Sequence, residues 1–172
     1  LAVLPSQFQF VVLSGATGSA KTALLEALAR QGAQVLNLEA LAMHKGSVLG
    51  LTPGDAQPAQ KGFESSLWHA LCQFKPGQPV FVESESKKIG VLHLPDSLYQ
   101  AMVNSPHVVQ VQASLQDRVD FLLHDYRHFI QNSAALKTQL SYLKALHGNQ
   151  TLAAWCEQID RGDWFGLVEN LL

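Results

Sequence analysis

The chain has 172 residues, enough for one domain with a sizeable core, and its 47% apolar and 15% charged content is that of a globular protein. Twelve Lys and Arg against fourteen Asp and Glu leave a net charge of −2, so there is no broad basic field and any nucleic-acid surface has to be local. No apolar run approaches the roughly 18 residues of a membrane span and no secretory leader pattern is present, so a cytoplasmic location without a membrane partner is expected.

The chain opens at Leu1 without an initiator methionine and reads as a piece of something longer. The first strand is expected over 8–13. It leads into Gly15-Ala16-Thr17-Gly18-Ser19-Ala20-Lys21-Thr22 and then into an amphipathic helix over 21–30. A glycine-rich loop between a strand and a helix is a phosphate cradle. Its backbone N–H groups turn inward, and the helix N-terminus adds partial positive charge. In that reading all eight loop residues bind phosphate, Lys21 reaches the outer phosphates, and Thr22 offers its hydroxyl to Mg2+. Ala20 stands where the usual pattern has glycine, which costs roughly 1–2 kcal/mol if the loop needs positive φ there.

Further strands are expected over 34–38, 80–83 and 107–111. Each is a short Val-rich run suited to burial on both faces. Helical patterns over 60–74 and 95–104 alternate with them, which predicts an α/β fold with a mostly parallel sheet. The stretch 45–60 is rich in glycine and proline and long for a passive connection, so it is expected to be a binding loop or flap. Beyond residue 114 the chain turns helical. Ser114 and Asp117 resemble a capping box, and Leu115, Val119, Leu122, Leu123, Tyr126 and Ile130 fall on one helical face. A second helix carries Leu136 to Leu146 and ends near Gly148, a third covers 152–159, and a last one runs over 163–172. Cys72 and Cys156 read as small core side chains.

Glu83, at the end of the third strand, is the acidic residue expected to face Mg2+, with Glu85 close behind, because ligands of open α/β sheets bind at the carboxyl edge. Lys87 and Lys88 follow and suit an anionic ligand or an RNA backbone. Arg118, one turn into its helix, is placed to reach the same mouth by fold-level analogy. No Asn-Lys-x-Asp guanine reader is present, which counts against a GTPase. His124 and His128 have an i, i+4 spacing but lack a third ligand, so zinc is not expected.

The segment 36–50, Leu-Asn-Leu-Glu-Ala-Leu-Ala-Met-His-Lys-Gly-Ser-Val-Leu-Gly, resembles the Asp-Leu-Glu-x-Leu-Ala-x-His-Arg-Gly-Ser-x-Phe-Gly segment of bacterial tRNA 2-selenouridine synthases. Phe63-Glu64, the run Val-Glu-Ser-Glu-Ser-Lys-Lys-Ile-Gly over 82–90, Leu94-Pro95, Met102, the helix from Arg118 to Asp125-Tyr126, and Gly162-Asp163-Trp164 with Leu167-Val168-Glu169 continue the likeness. Asn37 departs from the family's usual aspartate, and Lys45 from its arginine, keeping the charge but losing the planar fork.

The resemblance implies a P-loop NTPase-like domain over 1–172, helical from about 114, of an enzyme whose N-terminal rhodanese domain, with its active-site cysteine, is absent from this chain. It implies transfer chemistry on tRNA: wobble 2-thiouridine becomes 2-selenouridine through an S-geranyl intermediate, with geranyl diphosphate and selenophosphate as phosphorylated substrates. In that frame Lys21, Glu83 and Arg118 are catalytic, Thr22 and Glu83 hold Mg2+, and Glu39, His44, Lys45, Gly46, Ser47, Glu85, Lys87 and Lys88 bind substrate or tRNA. Two other readings suit the same residues. One is an ATP-dependent small-molecule kinase with a bound nucleotide, the other a non-catalytic phosphate- or RNA-binding module.

Overall fold

The computed structural model describes residues 4–47, 50 and 56–172. Of the loop expected over 45–60, residues 48, 49 and 51–55 lie outside the described residues. The chain divides into two compact units, Leu1–Gly15 with Lys21–Val111, and Ala16–Ala20 with Gln112–Leu172.

The first unit is an α/β layer structure. A short 3-10 turn, Leu4–Gln7, precedes strand β1 (Phe10–Ser14), and helix α1 (Lys21–Arg30) follows the loop. Next come β2 (Gln34–Leu36), α2 (Leu38–Ala42), α3 (Gln60–Gln73), β3 (Val80–Glu83), the two-residue strands β4 (Lys88–Ile89) and β5 (Leu92–His93), α4 (Asp96–Val103) and β6 (Val108–Gln110). The order β2-β3-β1-β6 makes a four-stranded sheet, parallel throughout. The register sets Leu13 beside Glu83 and Leu36 beside Val82, so β1, β2 and β3 end side by side at one edge. The core lies against this sheet: Val80 and Val82 from β3, Leu36 from β2, and Phe63, Leu67 and Leu71 from α3 are fully buried. The i, i+4, i+8 spacing of those three α3 residues is the stripe a helix needs to cover a sheet.

The described structure corrects three expectations here. The strand expected over 34–38 stops at Leu36. Asn37 leaves the strand and caps α2, its side chain accepting from the Ala40 N–H at 2.9 Å, so Leu38 is already helical. The strand expected over 107–111 is present as β6 but is not buried, because it is the sheet edge; Val108 and Val109 are 57% and 46% exposed. Cys72 is exposed on α3 rather than in the core. The antiparallel β4–β5 hairpin has no counterpart in the sequence reading, since two-residue strands carry no periodicity.

The second unit is helical: α5 (Leu115–Asp125), α6 (Arg127–Gln131), α7 (Ser133–Ser141), α8 (Lys144–Arg161) and α9 (Trp164–Leu171). Its buried residues include Val119, Phe129, Leu140, Trp155 and Leu167. Ser114 caps α5 by accepting from the Asp117 N–H at 3.1 Å, but its hydroxyl donates to the Asp117 carboxylate at 2.6 Å, so the reciprocal half of a capping box is missing. The single face expected from Leu115 to Ile130 is broken at Tyr126, which has φ −105° and ψ 21°, and both of those end residues are exposed. The break also separates His124 and His128 onto different helices. The helix expected to reach Leu146 ends at Ser141, and Leu146 is 77% exposed. Gly148, at φ 82° and ψ 171°, interrupts α8 instead of ending the preceding helix.

Candidate functional site

Three parallel strands deliver the site. β3 stands between β2 and β1, so the residues just past their carboxyl ends converge. Glu83 closes β3 and Glu85 lies two residues on. Glu39 comes from the first turn of α2, after β2. Thr22 comes from the first turn of α1, after β1 and the glycine loop. The nearest carboxylate oxygens of Glu39, Glu83 and Glu85 all lie within 4.8 Å of one another. Thr22 Oγ1 stands 3.1 Å from Glu39 Oε2 and 3.0 Å from Glu83 Oε2. A hydroxyl donates one hydrogen, so the second of these contacts requires a hydrogen carried by a carboxyl group.

The surroundings of Glu83 favour its protonated form. The residue is 1% exposed, and burial, followed by the charges of Glu39 and Glu85, pushes its carboxyl up to about 8 against the opposing pull of Thr22. Glu85, half-buried, is raised to about 7 by burial and Glu39, with Lys21 acting in the other direction. Lys21 Nζ donates to the Gly15 carbonyl at 2.8 Å. Such a set of hard oxygens, with Glu83 Oε1 buried and lacking a hydrogen-bond partner, has the chemistry a divalent cation takes.

The loop after α2 covers the carboxylates. Met43 ends the helix in the left-handed region, and His44 is buried with its Nδ1 accepting from the Gly46 N–H at 3.1 Å. That acceptor role fixes the hydrogen on Nε2, and burial lowers the imidazole's affinity for a second proton. Gly46 has φ +66°, and a Cβ there would stand 2.9 Å from a Glu85 oxygen and 3.0 Å from a Glu39 oxygen. Only glycine fits both the backbone and the space. Lys45 and Ser47 belong to the same turns through the Lys45 N–H to the Gly50 carbonyl at 2.9 Å and the Ser47 N–H to the Lys45 carbonyl at 2.8 Å.

Within the second unit, the loop tip 16–20 and α5 meet. Arg118 Nε donates to the Thr17 carbonyl at 2.7 Å, and a Cβ on Gly18 would lie 2.9 Å from the Arg118 carbonyl oxygen. Ser19 is buried and its N–H donates to the Ala16 carbonyl at 3.1 Å. Ala20 adopts φ +62°, the conformation in which alanine is strained.

A family model described as the tRNA 2-selenouridine synthase AAA domain matches residues 8–161. The chain belongs to this family. Its mostly parallel sheet and helices are accordingly the P-loop NTPase-like α/β fold of the family's domain. A tRNA 2-selenouridine synthase of Alcanivorax borkumensis is 44% identical over 117 residues, 67% of this chain and 31% of that protein. That of Hahella chejuensis is 41% identical over 71% of the chain and 31% of its own length, and that of Cronobacter sakazakii 37% identical over 78% and 35%. The chain thus spans about a third of the curated relatives it matches. No solved structure matches it.

The remaining candidates of this family member lie elsewhere in the first unit. Lys87 is exposed and pairs with Asp96 at 2.6 Å, and Lys88 is exposed on β4. Sequence reasoning passed over Gln57. Its Nε2 donates to the carbonyls of Ala42 and Ile89 at 3.1 and 3.0 Å, and its Oε1 accepts from the Val91 N–H at 2.8 Å. It ties the end of α2 to the β4–β5 hairpin. A lone glutamine in a glycine-proline stretch carries no pattern that would reveal this. Among the described residues no helix is long and apolar enough to cross a membrane.

Proposed function

We propose that this chain is the phosphate-handling domain of an enzyme that modifies tRNA, converting wobble 2-thiouridine to 2-selenouridine through an S-geranyl intermediate. The reading rests on family membership and on one observation: Thr22, in the first turn of α1, and Glu83, at the end of β3, already touch. In this reading the loop residues Gly15 to Thr22 seat the diphosphate of geranyl diphosphate, and Lys21 leaves Gly15 to meet its outer phosphate. Thr22 and Glu83 hold Mg2+, which supplies electrostatic stabilisation of the departing diphosphate. Selenophosphate presents a similar anion and uses the same seat in turn. The tRNA lies along Lys45, Lys87 and Lys88, and Arg118 steadies the loop through Thr17. Ala20 supports this reading, because it takes the positive φ that a glycine would supply and so keeps the loop's curvature.

The deciding experiment incubates the chain with a thiolated anticodon stem-loop and geranyl diphosphate and reads the RNA by mass. Addition of one geranyl group is expected. Lys21→Ala abolishes the binding of geranyl diphosphate and of inorganic pyrophosphate measured by calorimetry. Unchanged affinity in that variant would remove the loop from the mechanism.

A further inference from the structure

We propose that Glu39 is a direct ligand of the divalent cation, so that the cation site has three protein anchors, Thr22, Glu83 and Glu39, rather than the two that the strand-end pattern suggests. The inference rests on the reading of the loop as a diphosphate seat and adds to it the identity of a ligand.

The sheet order carries the argument. With β3 between β2 and β1, Glu83 is flanked on one side by Thr22 and on the other by Glu39. The Thr22 hydroxyl is shared almost equally between the two carboxylates, at 3.1 and 3.0 Å. In an octahedral shell of a small hard cation, opposite oxygens stand about 4 Å apart. Oxygens of Glu39 and Glu83 within 4.8 Å of each other need less than about 1 Å of contraction to take opposite places in such a shell, with the Thr22 hydroxyl adjacent to both. An independent sign of a missing partner is Glu83 Oε1, fully buried with no hydrogen bond. Buried polar atoms are almost always satisfied, so this oxygen points to a ligand.

Glu39 is also held in place from both ends. Asn37 caps α2 through the Ala40 N–H at 2.9 Å and fixes the first turn, which carries Glu39. Glu39 Oε1 lies on the side of Gly46, where a Cβ would stand 3.0 Å away, and Oε2 faces Thr22. Glu85 differs. It lies under the same glycine but outside the pair of carboxylates that shares the Thr22 hydroxyl. The shared Thr22 hydroxyl thus sets Glu39 and Glu83 apart from Glu85.

Mn2+ alone, titrated into the chain and followed by electron paramagnetic resonance, tests the assignment. The wild-type chain is expected to bind Mn2+, Glu39→Gln and Glu83→Gln to weaken it about tenfold or more, and Glu85→Gln to weaken it less than about threefold. Full affinity in Glu39→Gln, an equal loss in Glu85→Gln, or no Mn2+ binding by the wild type would overturn the proposal. Thermal unfolding in chelator guards against a scaffold effect. Glu39→Gln removes a repelling charge and should melt no lower than wild type, and a lower midpoint would make Glu39 a structural residue and overturn its role as ligand. Metal-free pyrophosphate binding, lost in Lys21→Ala and kept in Glu39→Gln, reports on the loop separately, so failure of one reading is distinguishable from failure of the other.

Discussion

Ala20 stores strain, and Glu83 and Glu85 store protons, that measurement can release. Ala20 sits at φ +62° in the phosphate loop. Left-handed alanine costs roughly 1–2 kcal/mol, and glycine at the same place costs about 0.5–1 kcal/mol in chain entropy. Ala20→Gly is therefore expected to raise stability by about 0.5–1 kcal/mol in urea unfolding, and a decrease would show that the loop does not need that conformation. Glu83 holds a proton up to about pH 8 and Glu85 up to about 7, whereas an unfolded glutamate releases its proton near 4.5. Between those limits the folded chain binds more protons than the unfolded one, so stability falls as pH rises. In chelator the melting temperature should drop steadily from about pH 5 to about pH 8, and Glu83→Gln should flatten much of that slope. A wild-type profile that is level across this range would contradict the assignment of the proton to Glu83.

At the scale of elements, the site depends on short pieces that each put only one or two side chains into the core. α2 has five residues and the β4–β5 strands two each, below what propensity alone can hold together. Gln57 compensates by satisfying three backbone groups, at the end of α2 and on both sides of the hairpin turn. Gln57→Ala leaves those groups without their partner and should destabilise the chain by about 1–3 kcal/mol in chemical denaturation. Because α2 carries Glu39, the same variant should bind Mn2+ more weakly. A variant with unchanged stability and unchanged Mn2+ affinity would show that the hairpin and α2 stand without it.

On the scale of the whole molecule, net charge −2 means that an RNA surface is a local construction. Reversing Lys87 and Lys88 to glutamate is expected to weaken binding of a tRNA anticodon stem-loop and to reduce the slope of affinity against salt by about one for each phosphate that is no longer neutralised. The slope, measured between low and physiological salt, checks this; an unchanged slope places the RNA elsewhere. How much of this was legible from the residues follows from what each signal encodes. The helix Lys21–Arg30, the strand Val80–Glu83 and the glycine loop between strand and helix stood in the sequence because they rest on local periodicity and turn chemistry, which neighbouring residues encode. The same local logic missed α2, where one N-capping asparagine outweighs the strand pattern around it. It also ran one helix through Tyr126, where the structure breaks it, whereas the break it read near Gly148 is present as non-helical backbone inside α8. Only the tertiary structure could bring Glu39 to Glu83, since they are 44 positions apart in sequence and meet because β2, which leads to Glu39, pairs with β3, which ends in Glu83. Strand order is a property of the folded sheet, and no spacing along a single chain encodes it.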